Sequence, residues 1–546
     1  MPAARCRDEA GSDAGRGSTT RRVLLLVLAA GAALRLIGIG WGLPDIDHLC
    51  SYHPDEAPLL ATVAGMAERG TWNPHFFNYG TLYIYLVAVA ARAMALVGLS
   101  PFEGAASLLY LTGRLVTVLF GVGTIAVVYL IGRDLGRPAI GLLAALLLAV
   151  MPLHVIHGHY ATVDITATFF FALMLLACVR MLRQGQSAAG WRWPAIGAAA
   201  LGLAAATKYT MAVGILPLLL ALALARRRWT TYPVVIIVAG AAFLAACPYA
   251  VLDWRSFQEG VTFESRHAAT LATAAFYGTG SGWRYHLLTS LPMAMGTPVL
   301  MVAAAGLIAL PLRGGRVGCL LLAATGIMYA VIGYPRDHFM RYTIPLLPLL
   351  ALSAAALLVG FSGRGQTRRR AAATGVSGLL VLWSLILTIA QLTFLVGAPV
   401  HDRAAAWIKI NLPAGRQVAF AGWPWFYTPP ITRYQCGPAS ERLFVAAREQ
   451  WRYRFAVLDW SSSLLGRERP PYVVMADVEE MARPADRAKE TERFLRALKR
   501  EYEPWRSFPT RGARRVVVKA LDDAPPDWRY PSPVITVYRL RQAADN

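Results

Sequence analysis

The chain has 546 residues, a mean hydropathy of +0.43 and only 16% charged residues, which excludes a single water-soluble globule. Its formal charge of +22 invites a nucleic-acid partner, but the Arg residues sit in short clusters between apolar runs, and that is how membrane helices are oriented. No RNP, zinc-finger or helix-turn-helix pattern interrupts those runs, and the six cysteines are scattered with no C-x-x-C.

Residues 1–22 are polar and Arg-rich and are expected to stay cytoplasmic. The basic segment is long and no small-residue cleavage site follows, so the first apolar run, 23–41, reads as an anchor rather than a removed signal. Arg5, Arg7, Arg16, Arg21 and Arg22 then set the N-terminus inside and Asp55 outside. The first outer loop is expected over 42–113. Within it, the apolar run 81–99 is read as a helix lying on the outer membrane surface. Arg92 near its middle would cost about 2.5–3.5 kcal/mol at a bilayer centre. A crossing there would also put the basic loop 132–137 outside.

With that choice the remaining spans fall into register at 114–131, 139–156, 165–182, 193–206, 211–225, 232–251, 292–312, 317–333, 343–361 and 371–396. Together with the first run they make about eleven transmembrane helices over residues 23–397. Basic clusters such as Arg226-Arg227-Arg228 and Arg364, Arg368, Arg369, Arg370 land inside, and the long loop from 253 to about 291 lands outside. Beyond 398 the composition changes to that of a soluble, extracytoplasmic α/β domain. Helices are expected at 402–411 and 488–503, and strands at 417–421, 455–458, 472–475, 516–519 and 534–538. No G-x-G-x-x-G or P-loop occurs in it. High Ala and Arg content without eukaryotic sorting signals fits a bacterial plasma membrane. Cys50 and Cys436 would share the outer side, so a disulfide and plain apolar packing both stand.

The chemistry is expected to centre on Ser51-Tyr52-His53-Pro54-Asp55-Glu56. Adjacent carboxylates so near a bilayer are expensive and mark a functional site. Asp55 and Glu56 read either as caps of the helix after Pro54 or as a general base for an incoming hydroxyl. Asp164 reads either as a helix cap or as a second site acid at the outer mouth of its span. His154, His157 and His159 have ligand-like spacing, so a divalent metal is an open possibility beside plain hydrogen bonding. The outer-side cations Arg114, Lys208, Arg255, Arg266, Arg336 and Arg341 read singly as snorkelling residues and jointly as a grip on a phosphate. His53, Tyr79 and Tyr342 complete the candidate substrate-binding set. Aromatics crowd the first outer loop, as an interfacial belt or as platforms for a sugar or a polyprenyl chain.

In order along the chain stand Arg35, the acidic pair at 55–56, an apolar interfacial helix, Arg114, Asp164, Ala206-Thr207-Lys208-Tyr209 and Arg341-Tyr342-Thr343-Ile344-Pro345-Leu346-Leu347-Pro348. Over residues 20–400 this order resembles the membrane glycosyltransferases of the C-type fold, nearest to the protein O-mannosyltransferase-like and aminoarabinose-transferase-like groups. The resemblance implies a sugar donor on a polyprenyl monophosphate, used at the outer face without a nucleotide, and an acceptor that is a protein, a lipid or a glycan. It implies Asp55 as the catalytic acid of the first loop with Glu56 beside it, Asp164 as the second-loop acid and Lys208 as a phosphate ligand. Asn78-Tyr79-Gly80 departs from the Pro-Pro-Leu-like turn of many relatives, so the acceptor does not follow from the resemblance. The competing class is a transporter or flippase for a lipid-linked anion, which many helices with intramembrane charge also suit. Against it, the two halves show no internal repeat.

Overall fold

A computed structural model describes residues 3–102, 106–184, 190–270, 274–361, 367–431, 452–482, 487–509, 525–529, 531 and 533–541. The expected strand at 516–519, Arg364 and Cys436 lie outside them, as do the side chains of residues 1–16.

The chain opens with helix α1 (Ala3–Leu36). The stretch after α1 carries α2 (Glu56–Glu68) and α3 (Leu82–Leu96), and α4 (Ser107–Asp134) follows. Next come α5 (Pro138–Val150) and α6 (Pro152–Ile156), which, with the turn to His159, form a pair bent by 65°. The bend has a local cause. Pro152 opens α6, and the residue before a proline is pushed out of the helical region, as Met151 is at φ −67° and ψ 124°. The break turns the chain so that α7 (Val163–Gln184) starts with Asp164 in its first turn.

Helices α8 (Arg192–Thr207), α9 (Ile215–Leu224) and α10 (Thr231–Ala246) follow, and then α11 (Trp254–Ala269). The last lies in what the sequence reads as a plain outer loop. Its apolar positions recur at helical spacing, and the Asp253 side chain accepts from the Ser256 N–H as its cap.

Spans expected separately at 292–312 and 317–333 form α12 (Thr297–Ile332), with Gly315 at φ 53° as its turning point. A Cβ on Gly318 would stand 2.0 Å from the Leu310 carbonyl oxygen, so the two halves double back in contact. The bundle closes with α13 (Leu347–Phe361) and α14 (Thr367–Leu392). Among the described residues five helices are long and apolar enough to cross a membrane, or six if the bent pair counts as one span.

The C-terminal unit begins with α15 (Val400–Asn411). Its sheet has the order β2-β1-β3-β5-β4, built from β1 (Gln417–Phe420), β2 (Arg454–Val457), β3 (Tyr472–Ala476), β4 (Tyr502–Phe508) and β5 (Ile535–Leu540). Strand β1 runs parallel to β2 and β3, and β5 runs antiparallel to β3 and β4. The sequence reading extends the helix α17 (Ala488–Glu501) to 503 and misses β4. The reason is Pro504, which demotes a strand pattern; β4 accommodates it as an edge strand with a register shift between Pro504 and Arg506. Helix α16 (Asp477–Ala482) follows β3 directly. One core of this unit, around Val418, Phe420 and Val474, extends to Cys50 and to Ala57 of α2 and so seats the unit beside Asp55.

Candidate active site

Three backbone facts bring the site together. Lys208 ends α8 in an extended conformation, φ −147° and ψ 117°, which releases its side chain from the helix axis. Tyr209 donates its hydroxyl proton to the carbonyls of Phe77 and Tyr79, at 3.1 and 2.9 Å, and pins the loop 77–79 against that helix end. Gly80 sits so close that a Cβ there would lie 2.0 Å from the Ala206 carbonyl oxygen. The departure Asn78-Tyr79-Gly80 therefore has a steric reason.

The Lys208 Nζ reaches Asp164 at 2.6 Å, and Arg341 Nη1 reaches Asp55 at 3.0 Å. Both cations face the ring of Tyr342, at 5.0 Å for Lys208 Nζ and 5.8 Å for Arg341 Cζ. Two ion pairs thus flank one aromatic ring. Beside them opens a cavity of about 640 Å³ lined by Asp55, Asn78, Tyr79, Lys208, Glu264, Arg341 and Tyr342. Met211, Val261, Val331 and Ile332 give it an apolar wall, and Trp425 and Tyr427 join from the C-terminal unit. Burial pushes the Glu264 carboxyl above its ordinary value, against the pull of His267, Lys208 and Arg341. Glu264 is the site acid that sequence reading misses. It lies on the unanticipated helix α11, whose period of apolar residues was the available signal.

The acidic pair divides. Asp55 precedes α2 with no capping hydrogen bond from its side chain, and its carboxylate lines the cavity. Glu56 is wholly buried and does not line it. Its carboxylate accepts from Arg114 Nε at 2.8 Å, Arg114 Nη2 at 2.7 Å, the Ala161 N–H at 2.7 Å and the Ser51 hydroxyl. Burial alone would raise the Glu56 carboxyl, but the Arg114 guanidinium outweighs it and holds the group below its ordinary value. The two N–H groups of Arg114 Nη1 donate to the carbonyls of Ile39 and Trp41, at 2.6 and 2.7 Å. Geometry therefore takes Glu56 and Arg114 out of the reacting set, because every polar atom of the pair is occupied inside the fold.

Other expected ligands also stand apart from the cavity. Arg255 is exposed and pairs with Glu259, Arg266 lines a separate shallow surface depression, and Arg336 is exposed. His53 is buried against Tyr160 at 4.1 Å, its Nδ1 accepting from the Asp55 N–H at 3.3 Å, so it supports Asp55 from behind. Burial holds that imidazole below its ordinary value. The histidines with ligand-like spacing are engaged separately: His154 with Arg35 at 2.7 Å, His159 with the carbonyls of Val155 and Ile37, and His157 edge-on to Tyr160. Among the described residues no three His, Cys, Asp or Glu side chains are grouped to hold a metal.

Residues 109–254 match the family model described as dolichyl-phosphate-mannose-protein mannosyltransferase. No curated protein sequence matches the chain. Among solved structures, ArnT from Cupriavidus metallidurans in the apo state is 17% identical, covering 96% of this chain and 98% of that one, with a TM-score of 0.53. The same protein bound to undecaprenyl phosphate is 16% identical, covers 94% and 97%, and gives a TM-score of 0.50. The archaeal oligosaccharyltransferase AglB from Archaeoglobus fulgidus, in complex with an inhibitory peptide and a dolichol-phosphate, is 13% identical over 89% of this chain and 73% of that one, with a TM-score of 0.53. The chain has the fold of these proteins and, over residues 109–254, resembles the mannosyltransferase family of that model.

Proposed function

We propose that this protein transfers a sugar from a polyprenyl monophosphate to an acceptor at the outer face of a bacterial plasma membrane. One observation carries the reading: a single cavity joins a carboxylate, Asp55, to two cations, Lys208 and Arg341, with an apolar wall at their side. That combination suits a lipid-borne phosphate, whose charge meets the cations while its prenyl chain meets Met211, Val261, Val331 and Ile332. The eleven-span topology, with the N-terminus inside and residues 398–546 outside, belongs to the same reading and rests on the distribution of Arg clusters.

In the proposed step the acceptor hydroxyl attacks the anomeric carbon and gives its proton to Asp55. The bond from that carbon to the phosphate oxygen breaks, the electron pair leaves with the phosphate, and configuration inverts. Lys208 and Arg341 stabilise the developing phosphate charge in a partly dehydrated pocket. A phosphate is a good leaving group, so the step needs no separate general acid. Asp164 keeps Lys208 extended toward the pocket.

The test is purified protein in detergent with a panel of polyprenyl-phosphate sugars. Acceptor-dependent release of free polyprenyl phosphate is expected. Asp55→Asn should lower it roughly 100-fold or more, and Lys208→Ala should weaken binding of undecaprenyl phosphate. Movement of intact donor across a vesicle bilayer without any release would instead favour the flippase class.

A further inference from the structure

The cavity is not the work of the membrane helices alone: Trp425 and Tyr427 belong to residues 422–431, which follow β1 in the C-terminal unit. This segment is held rigidly. The Trp425 N–H donates to Thr428 Oγ and the Thr428 N–H donates to the Trp425 carbonyl, both at 2.9 Å. Thr428 Oγ in turn donates to the buried Glu479 carboxylate at 2.8 Å, whose other oxygen takes the Ala476 N–H at 3.4 Å. One hydroxyl thereby ties the turn to the junction of β3 and α16. Trp425 also packs edge-on against Phe426 at 5.2 Å and against the core that reaches Ala57.

Half-buried Trp425 and the cavity-lining edge of the buried Tyr427 lie on a braced turn and border the same cavity as Asp55, Asn78, Lys208, Glu264 and Arg341, combining an apolar platform with hydrogen-bonding groups. A sugar ring has the matching shape, with C–H faces for stacking and hydroxyls at its edge for carboxylate and amide. The wall of Met211, Val261, Val331 and Ile332 already suits a prenyl chain, which leaves the rings carried by the C-terminal unit for the polar end of the substrate.

We propose that Trp425 and Tyr427 form a ring-stacking sugar subsite, supplied by the C-terminal unit and positioned through Thr428 and Glu479. It rests on the glycosyl-transfer reading for its role but not for its existence. The stacked ring belongs either to the donor sugar or to a glycan acceptor.

The experiment measures affinity of the full-length protein for undecaprenyl phosphate and for a panel of its hexosyl and pentosyl derivatives, then KM for acceptor. Wild type should bind at least one sugar-bearing lipid more tightly than the bare lipid. Trp425→Ala and Tyr427→Ala should cut that gain about tenfold. Trp425→Phe, which keeps a ring, should recover most of it, and retained binding of bare undecaprenyl phosphate shows that the variants are folded. A tenfold rise in acceptor KM with donor affinity held would assign the ring to the acceptor. The subsite is overturned if folded variants match wild type in both readouts, or if wild type gains nothing from the sugar in either. The transferase reading fails separately, if wild type binds sugar-bearing lipids yet releases no undecaprenyl phosphate with any acceptor.

Discussion

At Glu56 four hydrogen bonds converge on one carboxylate that water does not reach, while its chain neighbour Asp55 opens onto the cavity. The two acids should therefore fail differently when replaced. Glu56→Ala leaves the Arg114 guanidinium buried without its counter-charge, and breaking such a pair costs about 3–5 kcal/mol. A matching drop in unfolding stability, seen as an early melt in detergent, is the expected result, with loss of activity following from loss of fold. Asp55→Asn should melt near wild type and lose transfer. Adjacency in sequence concealed this division, because residues either side of a helix start point in different directions.

At the scale of elements, the approach of the 77–80 loop to α8 depends on Gly80 having no side chain. Gly80→Ala should push the loop away from Ala206, loosen the grip of Tyr209 on Phe77 and Tyr79, and reduce donor affinity more than it reduces stability. Comparing donor binding with melting temperature checks this. The turn at 425–428 makes a pH-dependent prediction. Burial pushes Glu479 from its ordinary 4.5 up to about 7, with the hydrogen bonds from Thr428 and Ala476 only partly opposing it. A carboxyl whose folded value is raised binds its proton more tightly in the fold than in the unfolded chain. The fold is thus favoured at low pH, and stability falls as pH rises between about 4.5 and 7, by at most about 3 kcal/mol. Glu479→Gln should flatten that slope and raise the melting temperature above pH 7.

Across the whole molecule, the proposed topology places the turn of α12 inside and the C-terminal unit outside. Gly314 and Gly466 are exposed with open space around them, so a cysteine at either should be tolerated. In intact cells a membrane-impermeant thiol reagent should label Gly466→Cys and spare Gly314→Cys; the reverse pattern would invert the topology. The two units share more than a linker. The C-terminal core runs on to Cys50 and Ala57, the Tyr52 hydroxyl donates to Asp402, and Lys409 pairs with Asp47 at 2.7 Å. Ties at three places between residues 47 and 57 fix the turn at 425–428 relative to Asp55.

Hydropathy and Arg placement were sufficient, by themselves, to mark a helical membrane protein with an α/β tail, because burial in lipid leaves a long, local and periodic signature. Residue order likewise singled out Asp55, Asp164, Lys208 and Arg341 as candidates, since charges beside apolar runs stand out in one dimension. Which charge meets which was decided only in three dimensions. Arg114 went to Glu56, Lys208 to Asp164 and Arg341 to Asp55, pairings that join residues from 44 to 286 positions apart. Trp425 and Tyr427 carry no such one-dimensional mark, and for Glu264 the sequence signals only its helix; they line the cavity because distant segments pack there, and packing between segments is what a linear pattern does not encode.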